Sequence, residues 1–312
     1  MRRGFSLAVA SLAIVLADSV LTMSAQAGLY APAAPGAALF VTNQPVNQVV
    51  VFPSGGGSSV LIAGPTAFPG IAFDTSGNLY IANTLNNVIQ KFTPGGGGSI
   101  FATTGLNNPT GLAFDGAGNL FASNYGNDTI WKYNSSGVGS LFTGTGLNKP
   151  NGLAFDNAGN LYAANVNNTI AKFSAGAAYS TFASTGLNIP VGLAFDNANN
   201  LFVSNLAGNS IVKFNSGGIG TVFASNVPTP VGLAFDNNGD LYVGENTNNL
   251  VEKYNPGNAS HSLFADCGLA GTANLAFSPY SLVAVPEPAT FAVGFLCLGV
   301  AVVRRRRTSA AA

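Results

Sequence analysis

Between Leu39 and Phe277 the apolar residues come in short runs, such as Leu79 to Ala82 and Val88 to Phe92, separated every few residues by Gly, Asn or Pro. No stretch there keeps a 3.6-residue period long enough for a helix, so the runs predict strands. The pattern also recurs. The segment PGIAFDTSGNLYIANTLNNVIQKF, from Pro69, returns as PTGLAFDGAGNLFASNYGNDTIWKY from Pro109, then from Pro150, Pro190 and Pro230. The period is about 40 residues, and each unit predicts four strands.

The turn chemistry explains why the strands stop where they do. In FDTSGNL the carboxylate of Asp74 can accept backbone N–H bonds as an Asx turn, while Gly77 takes the positive φ that closes a hairpin. Asp115, Asp156, Asp196 and Asp236 repeat the arrangement, with Gly118, Gly159 and Gly239 following. Asn199 stands in once for the glycine, the next best residue at positive φ.

A four-stranded unit that is apolar on both faces needs a neighbour on each side, and a ring supplies one to every unit. The ends of the array suggest how the ring closes. ALFVTNQPVNQVVVFPSG aligns with the next unit at an offset of 40, setting Leu39 against Leu79, Asn43 against Asn83, Asn47 against Asn87 and Phe52 against Phe92. Its missing first strand is supplied by TANLAFS, Thr272 to Ser278. Five full units and this shared one predict an all-β, six-bladed propeller of four-stranded blades, closed by pairing of its N- and C-terminal segments.

The units P-x-G-L-A-F-D-x-x-G-N-L-[YF], followed by N-N-x-I-x-K-[FY], resemble NHL repeats over roughly Leu39 to Phe277. That resemblance implies a β-propeller at residues 38–285. NHL propellers that bind RNA use basic surfaces, yet no arginine occurs between Arg3 and Arg304. From Gly28 to Val285 there are six lysines against ten carboxylates, a net charge of −4. Nucleic acid is therefore not an expected partner. Five of the lysines, Lys91, Lys132, Lys172, Lys213 and Lys253, share one repeat position, where they are expected to snorkel over apolar neighbours.

Both termini read as targeting segments. Arg2 and Arg3 precede the apolar run Leu7 to Ala17, and Ala25-Gln26-Ala27 has the small-x-small form of a signal-peptidase site, so residues 1–27 are expected to be a signal peptide cleaved before Gly28. At the other end, Pro286-Glu287-Pro288, the apolar run Ala289 to Val303 and then Arg304, Arg305, Arg306 and Arg307 resemble the PEP-CTERM sorting signal of Gram-negative bacteria. The resemblance implies that an exosortase removes the tail and leaves the protein at the surface or in extracellular polymer. A short apolar helix is expected in residues 286–307, with 308–312 as a tail. A helix of about fifteen residues rises only some 22 Å, less than a hydrocarbon core, which suits transient inner-membrane association during export by the Sec machinery. The four arginines would hold its cytoplasmic end.

The sequence names no catalytic residue, metal ligand or cofactor. Charged residues are only 8% of the chain. Cys267 lacks a histidine neighbour and Cys297 lies in the apolar tail, so neither is expected to be catalytic or bridged. His261, the single histidine, falls in NPGNASHSLFADCG without a triad pattern and is expected in a solvated loop. DNNGDLYVGE offers Asp236, Asn238, Asp240 and Glu245, but Leu241 and Thr247 occupy positions where a calcium loop needs glycine and glutamate.

One position stands out. Asn43, Asn83, Asn124, Asn165 and Asn205 end the second strand of their units, and Glu245 takes that place in the last. If these side chains reach the central opening they form a polar ring for a cation or a sugar; otherwise they cap the turn locally. The expected function is a non-enzymatic binding or scaffold module for polysaccharide or protein. The alternative is a propeller hydrolase or lyase of the lactonase or streptogramin lyase type. The resemblance makes that chemistry depend on a metal or on a His and acid pair, and the early glutamate that holds metal in gluconolactonase-like propellers is missing before Glu245.

Overall fold

The computed structural model describes residues 31–32, 38–43, 48–52, 59–63, 70–94, 97–266, 272–277 and 282–283. They form six four-stranded antiparallel sheets arranged as the blades of a propeller. Blade 1 places Thr272–Phe277 innermost, followed by Leu39–Asn43, Gln48–Phe52 and Ser59–Ala63. Blades 2 to 6 are continuous in sequence and begin at Ile71, Pro109, Pro150, Pro190 and Pro230. The signal peptide and the sorting segment expected from the sequence lie outside the described residues.

The ring closes as the sequence predicts. Thr272–Phe277 pairs with Leu39–Asn43 in the register Leu39 to Phe277, Phe40 to Ala276 and Val41 to Leu275. Leu39 also pairs with Phe52, as Leu79 pairs with Phe92, so the offset of 40 holds at the level of register. A second clasp was not legible in the sequence. Ala31–Pro32 pairs antiparallel with Leu282–Val283, adding a short ribbon where the first and last segments meet.

Each interface between neighbouring blades is its own apolar cluster. Phe121 and Ile130 of blade 3 pack with Leu153, Leu161, Ala163 and Phe173 of blade 4. Tyr162, Ala164 and Ile170 of blade 4 pack with Leu193, Leu201 and Phe214 of blade 5. The second strand Leu161–Asn165 thus sends alternate side chains to opposite neighbours, which is why all five of its residues are buried. At the closure, Leu39, Val41 and Leu275 pack with Tyr242 and Val251 of blade 6, while Phe40 and Val49 pack with Leu79 and Ile81 of blade 2.

The repeated aspartate does more than close a turn. Asp156 accepts hydrogen bonds from the backbone of Ala158 and Asn160 at 3.0 and 2.8 Å, from the Asn160 amide at 2.8 Å and from the Tyr162 hydroxyl at 3.1 Å. Lys172 reaches it at 3.9 Å while lying 5.2 Å from the centre of the Tyr162 ring. The other four blades with this turn repeat the ion pair, Lys91 with Asp74, Lys132 with Asp115, Lys213 with Asp196 and Lys253 with Asp236. The lysines therefore pin the turn to the third strand as well as covering an aromatic ring. These bonds hold the carboxyls of Asp115, Asp156 and Asp196 below the usual range, against the opposing effect of burial. The hairpin residues Gly77, Gly118, Gly159, Asn199 and Gly239 all have positive φ, as the turn requires.

First strands of successive blades approach one another around the axis so closely that glycine is needed. A Cβ on Gly111, Gly152 or Gly192 would overlap the carbonyl oxygen of Asn151, Val191 or Val231 in the next blade. Gly152→Ala is therefore expected to cost about 1–3 kcal/mol of stability, since a backbone group cannot swing aside as a side chain can. Urea denaturation checks this, and a Gly118→Ala control meets open space, leaving only the strain of its positive φ.

Candidate functional site

The amides that end the second strands of blades 3, 4 and 5 are structural latches. Asn124 accepts from the backbone N–H of Asn107 at 3.0 Å and donates to the Gly105 carbonyl at 2.8 Å and the Thr129 hydroxyl at 2.9 Å. It thereby fixes the crossover that brings the chain into its own blade. Asn165 does the same with Asn148, Gly146 and Thr169, and Asn205 with Asn188, Gly186 and Ser210. Asn83 caps its own turn at Asn86. Of Asn43 the backbone is described, paired with Thr272 and Gln48.

Blade 6 departs from the latch at every contact. Glu245 replaces the amide, and as a carboxylate it can only accept. Pro228 stands where Asn107, Asn148 and Asn188 present their backbone N–H, and Leu250 where Thr129, Thr169 and Ser210 present a hydroxyl. Glu245 is 1% exposed, and its carboxyl accepts a hydrogen bond from the Asn248 amide at 3.0 Å. It lines a cavity of about 420 Å³ between blades 5 and 6, together with Phe223, Pro228, Glu252, Tyr254 and His261. Burial first, and then the neighbouring Glu252 carboxyl, push the Glu245 carboxyl up to about 7, against the Asn248 bond and His261.

The rest of the cluster is also particular to this blade. Glu252 occupies the third-strand position held elsewhere by Gln90, Trp131, Ala171 and Val212. The Tyr254 hydroxyl donates to Glu252 Oε2 at 2.7 Å, and burial and that carboxylate raise the phenol above its ordinary value. His261 Nε2 lies 3.9 Å from the same oxygen, its ring stacked on Tyr254 at 4.8 Å between centroids. The sequence reading set His261 in a loop; it begins the strand His261–Asp266, pairing with Tyr254, because the fourth strand resumes after the Asn255 to Ser260 turn. In the calcium-like segment, Asp236 and Asp240 are taken by Lys253, at 3.7 and 2.7 Å. Among the described residues no three His, Cys, Asp or Glu side chains converge as metal ligands.

A second cavity, of about 430 Å³, opens at the axis on the end of the propeller where the second strands stop. Its lining includes Tyr125, Val166, Ile189, Val191 and Leu206. Tyr125, Val166 and Leu206 each follow the latch asparagine directly, and sequence reasoning missed them. The available cue was variability: they change from unit to unit inside a repeat that otherwise holds its residues. The hydroxyls of Thr84 and Thr110 at this opening donate to the carbonyls of Pro109 and Pro150, at 2.7 and 2.9 Å.

Residues 284–307 match the PEP-CTERM protein-sorting motif, which marks export and cell-surface sorting in Gram-negative bacteria and processing by an exosortase. A search of curated proteins found no significant match. Among solved structures the fold is similar to a chain of a nidogen–laminin complex, at 20% identity and a TM-score of 0.70, covering 78% of this chain and 98% of that one. It is also similar to virginiamycin B lyase from Staphylococcus aureus, at 17% identity and 0.61, covering 83% and 94%. A gluconolactonase from Xanthomonas campestris matches at 17% and 0.59, covering 84% and 100%. The chain is a six-bladed β-propeller that carries a PEP-CTERM sorting motif. Fold likeness at these identities leaves Glu245 to be tested by its own chemistry. Folding raises its affinity for a proton, so its contribution is full below about pH 4.5 and is lost as pH rises through about 7, by up to roughly 3 kcal/mol. Urea titrations across that window are expected to show the loss in the native protein and its removal in Glu245→Gln; parallel profiles would refute the assignment.

Proposed function

We propose that the protein is an exported, surface-sorted binding module that takes a ligand at the mouth of its central channel, without catalysing a reaction. The character of that mouth carries the reading. Its aliphatic floor is rimmed by amides and hydroxyls, and among the described residues its lining holds one ionisable group, the Tyr125 phenol, with Lys149 Nζ 5.6 Å from the centre of that ring. With the two threonine hydroxyls donating to backbone carbonyls, the described residues of the lining present neither an acid–base pair nor an activated nucleophile. Ile189 and Asn108 are held there at φ of 48° and 47°, by N–H bonds to Asn168 and Asn87 in the preceding blades. A β-branched residue in that conformation is strained, and strain retained at a cavity lip favours a site shaped for contact.

Surface polysaccharide or a surface protein supplies the ligand in this reading, and exosortase acts on the tail. The hydrolase or lyase alternative needs acid–base groups at the axis, whereas among the described residues Glu245, Glu252, Tyr254 and His261 cluster between blades 5 and 6. Two experiments test the proposal. Purified protein is expected to be retained on the host's own extracellular polysaccharide or surface-protein extract. The paired change Val191→Glu and Leu206→Glu is expected to weaken that retention by about tenfold or more, because it charges the apolar floor. Turnover of virginiamycin B or gluconolactone by the same preparation would overturn the non-enzymatic reading. Separately, alanine at Pro286, Glu287 and Pro288 is expected to leave the tail attached, seen by mass spectrometry as a heavier protein recovered from the host.

A further inference from the structure

The cavity between blades 5 and 6 has no role in binding at the channel mouth, and its chemistry differs from everything else in the ring. A latch asparagine such as Asn124 satisfies both ends of its amide with three partners. Glu245 is as deeply buried, yet the protein offers it one neutral donor, Asn248, and faces it with a second carboxyl, that of Glu252. Among the described residues the basic side chain at the pair is the half-exposed His261, 3.9 Å from Glu252, so a buried carboxylate here is costly unless something else supplies positive charge. The three sequence changes that create the vacancy act in concert. Pro228 withdraws a backbone donor, Leu250 withdraws a hydroxyl, and Glu245 introduces the acid. A single drifted residue would have left the other two latch partners in place.

The cavity wall indicates what kind of cation fits. Phe223, Ala224, Pro228 and the Tyr254 ring present apolar surface, while Glu245 and Glu252 form the acidic end and His261 stands half exposed at the edge. A bare metal ion would want three or more converging hard ligands, which this geometry lacks. An ammonium group needs less: carboxylate acceptors for its N–H bonds, with aromatic and aliphatic surface beside its stem. A volume of about 420 Å³ accommodates such a chain.

We propose that the cavity between blades 5 and 6 is a binding site for a primary alkylammonium group, such as a lysine side chain, with the charge held by Glu245 and Glu252 and the methylene stem along Phe223, Pro228 and Tyr254. Binding displaces the proton that burial holds on Glu245 when the site is free, and releases it to solvent. The other titratable groups facing the pair are His261 and the Tyr254 phenol. Affinity therefore falls as the medium becomes acidic and Glu245 takes up its proton.

The test uses the full-length protein and n-butylammonium chloride as probe, followed by calorimetry or by NMR shifts of residues lining the cavity. The probe is expected to bind in competition with a lysine-containing peptide, and n-butanol, its neutral counterpart, is not. Affinity is expected to drop by about tenfold or more between roughly pH 8 and pH 5.5, and by a similar factor in Glu245→Gln. Glu252→Gln is the second variant, and a cooperative melting transition no lower than that of the native protein in either one shows that the loss is local. Equal binding of butanol, or full affinity in both folded variants, would overturn the proposal. So would tighter binding of calcium or of glucosamine than of n-butylammonium, since either reassigns the site to a metal or to an amino sugar. Because the mouth variants Val191→Glu and Leu206→Glu leave this cavity untouched, amine binding stands or falls independently of retention at the channel.

Discussion

The whole molecule depends on one constraint: its sheets are apolar on both faces, so no blade is stable until it is flanked on each side. Second strands such as Leu161–Asn165 are buried along their whole length because alternate residues serve different neighbours. Six interfaces are therefore equivalent in kind, and the closure between blades 6, 1 and 2 is built from the same residue types as the rest. Low charge follows from this arrangement. What little charge the ring has is mostly committed to pairs between a turn aspartate and a lysine of the third strand, repeated in five blades.

A second system ties the blades to their crossovers. Asparagine side chains at the ends of the second strands hold the chain as it enters the same blade, and turn residues of the preceding blade hold it from the other side, as Asn168 holds the Ile189 N–H at 2.7 Å. Between them they force left-handed backbone on Asn108, Lys149, Ile189 and Thr229, each directly before a proline. The channel mouth is thus shaped by the same bonds that keep the ring rigid. Departure from the latch in blade 6 leaves room between sheets instead of at the axis.

Much of the architecture was legible in sequence because each unit states its local rules five times. Aspartate and glycine three residues apart specify the turn, and period-two alternation specifies the buried strand. Ring closure was legible too, since TANLAFS matches the strand that the first unit lacks. The function-bearing details were not. Lys172 and Asp156 meet only once the register of the second and third strands is known. Glu245, Glu252, His261 and Pro228 lie on three strands and a loop, and only the strand pairing of blade 6 and the crossover that enters it make them neighbours. Glu245 alone was conspicuous, as a single carboxylate in a column of amides. His261 misled, because its turn is longer than those of the other units and hid the start of a strand.

The closing strand Thr272–Phe277 and the ribbon Leu282–Val283 are among the last parts of the ring to leave the ribosome, and the residues that match the sorting motif follow directly. Until then the three other strands of blade 1 wait with an open edge, and blade 6 has one uncovered side. Completion of the sheet and presentation of the motif are thus ordered in time by the chain itself. A polypeptide cut short before Thr272 loses both, so the machinery that handles the tail meets only molecules that already possess every piece of the circle.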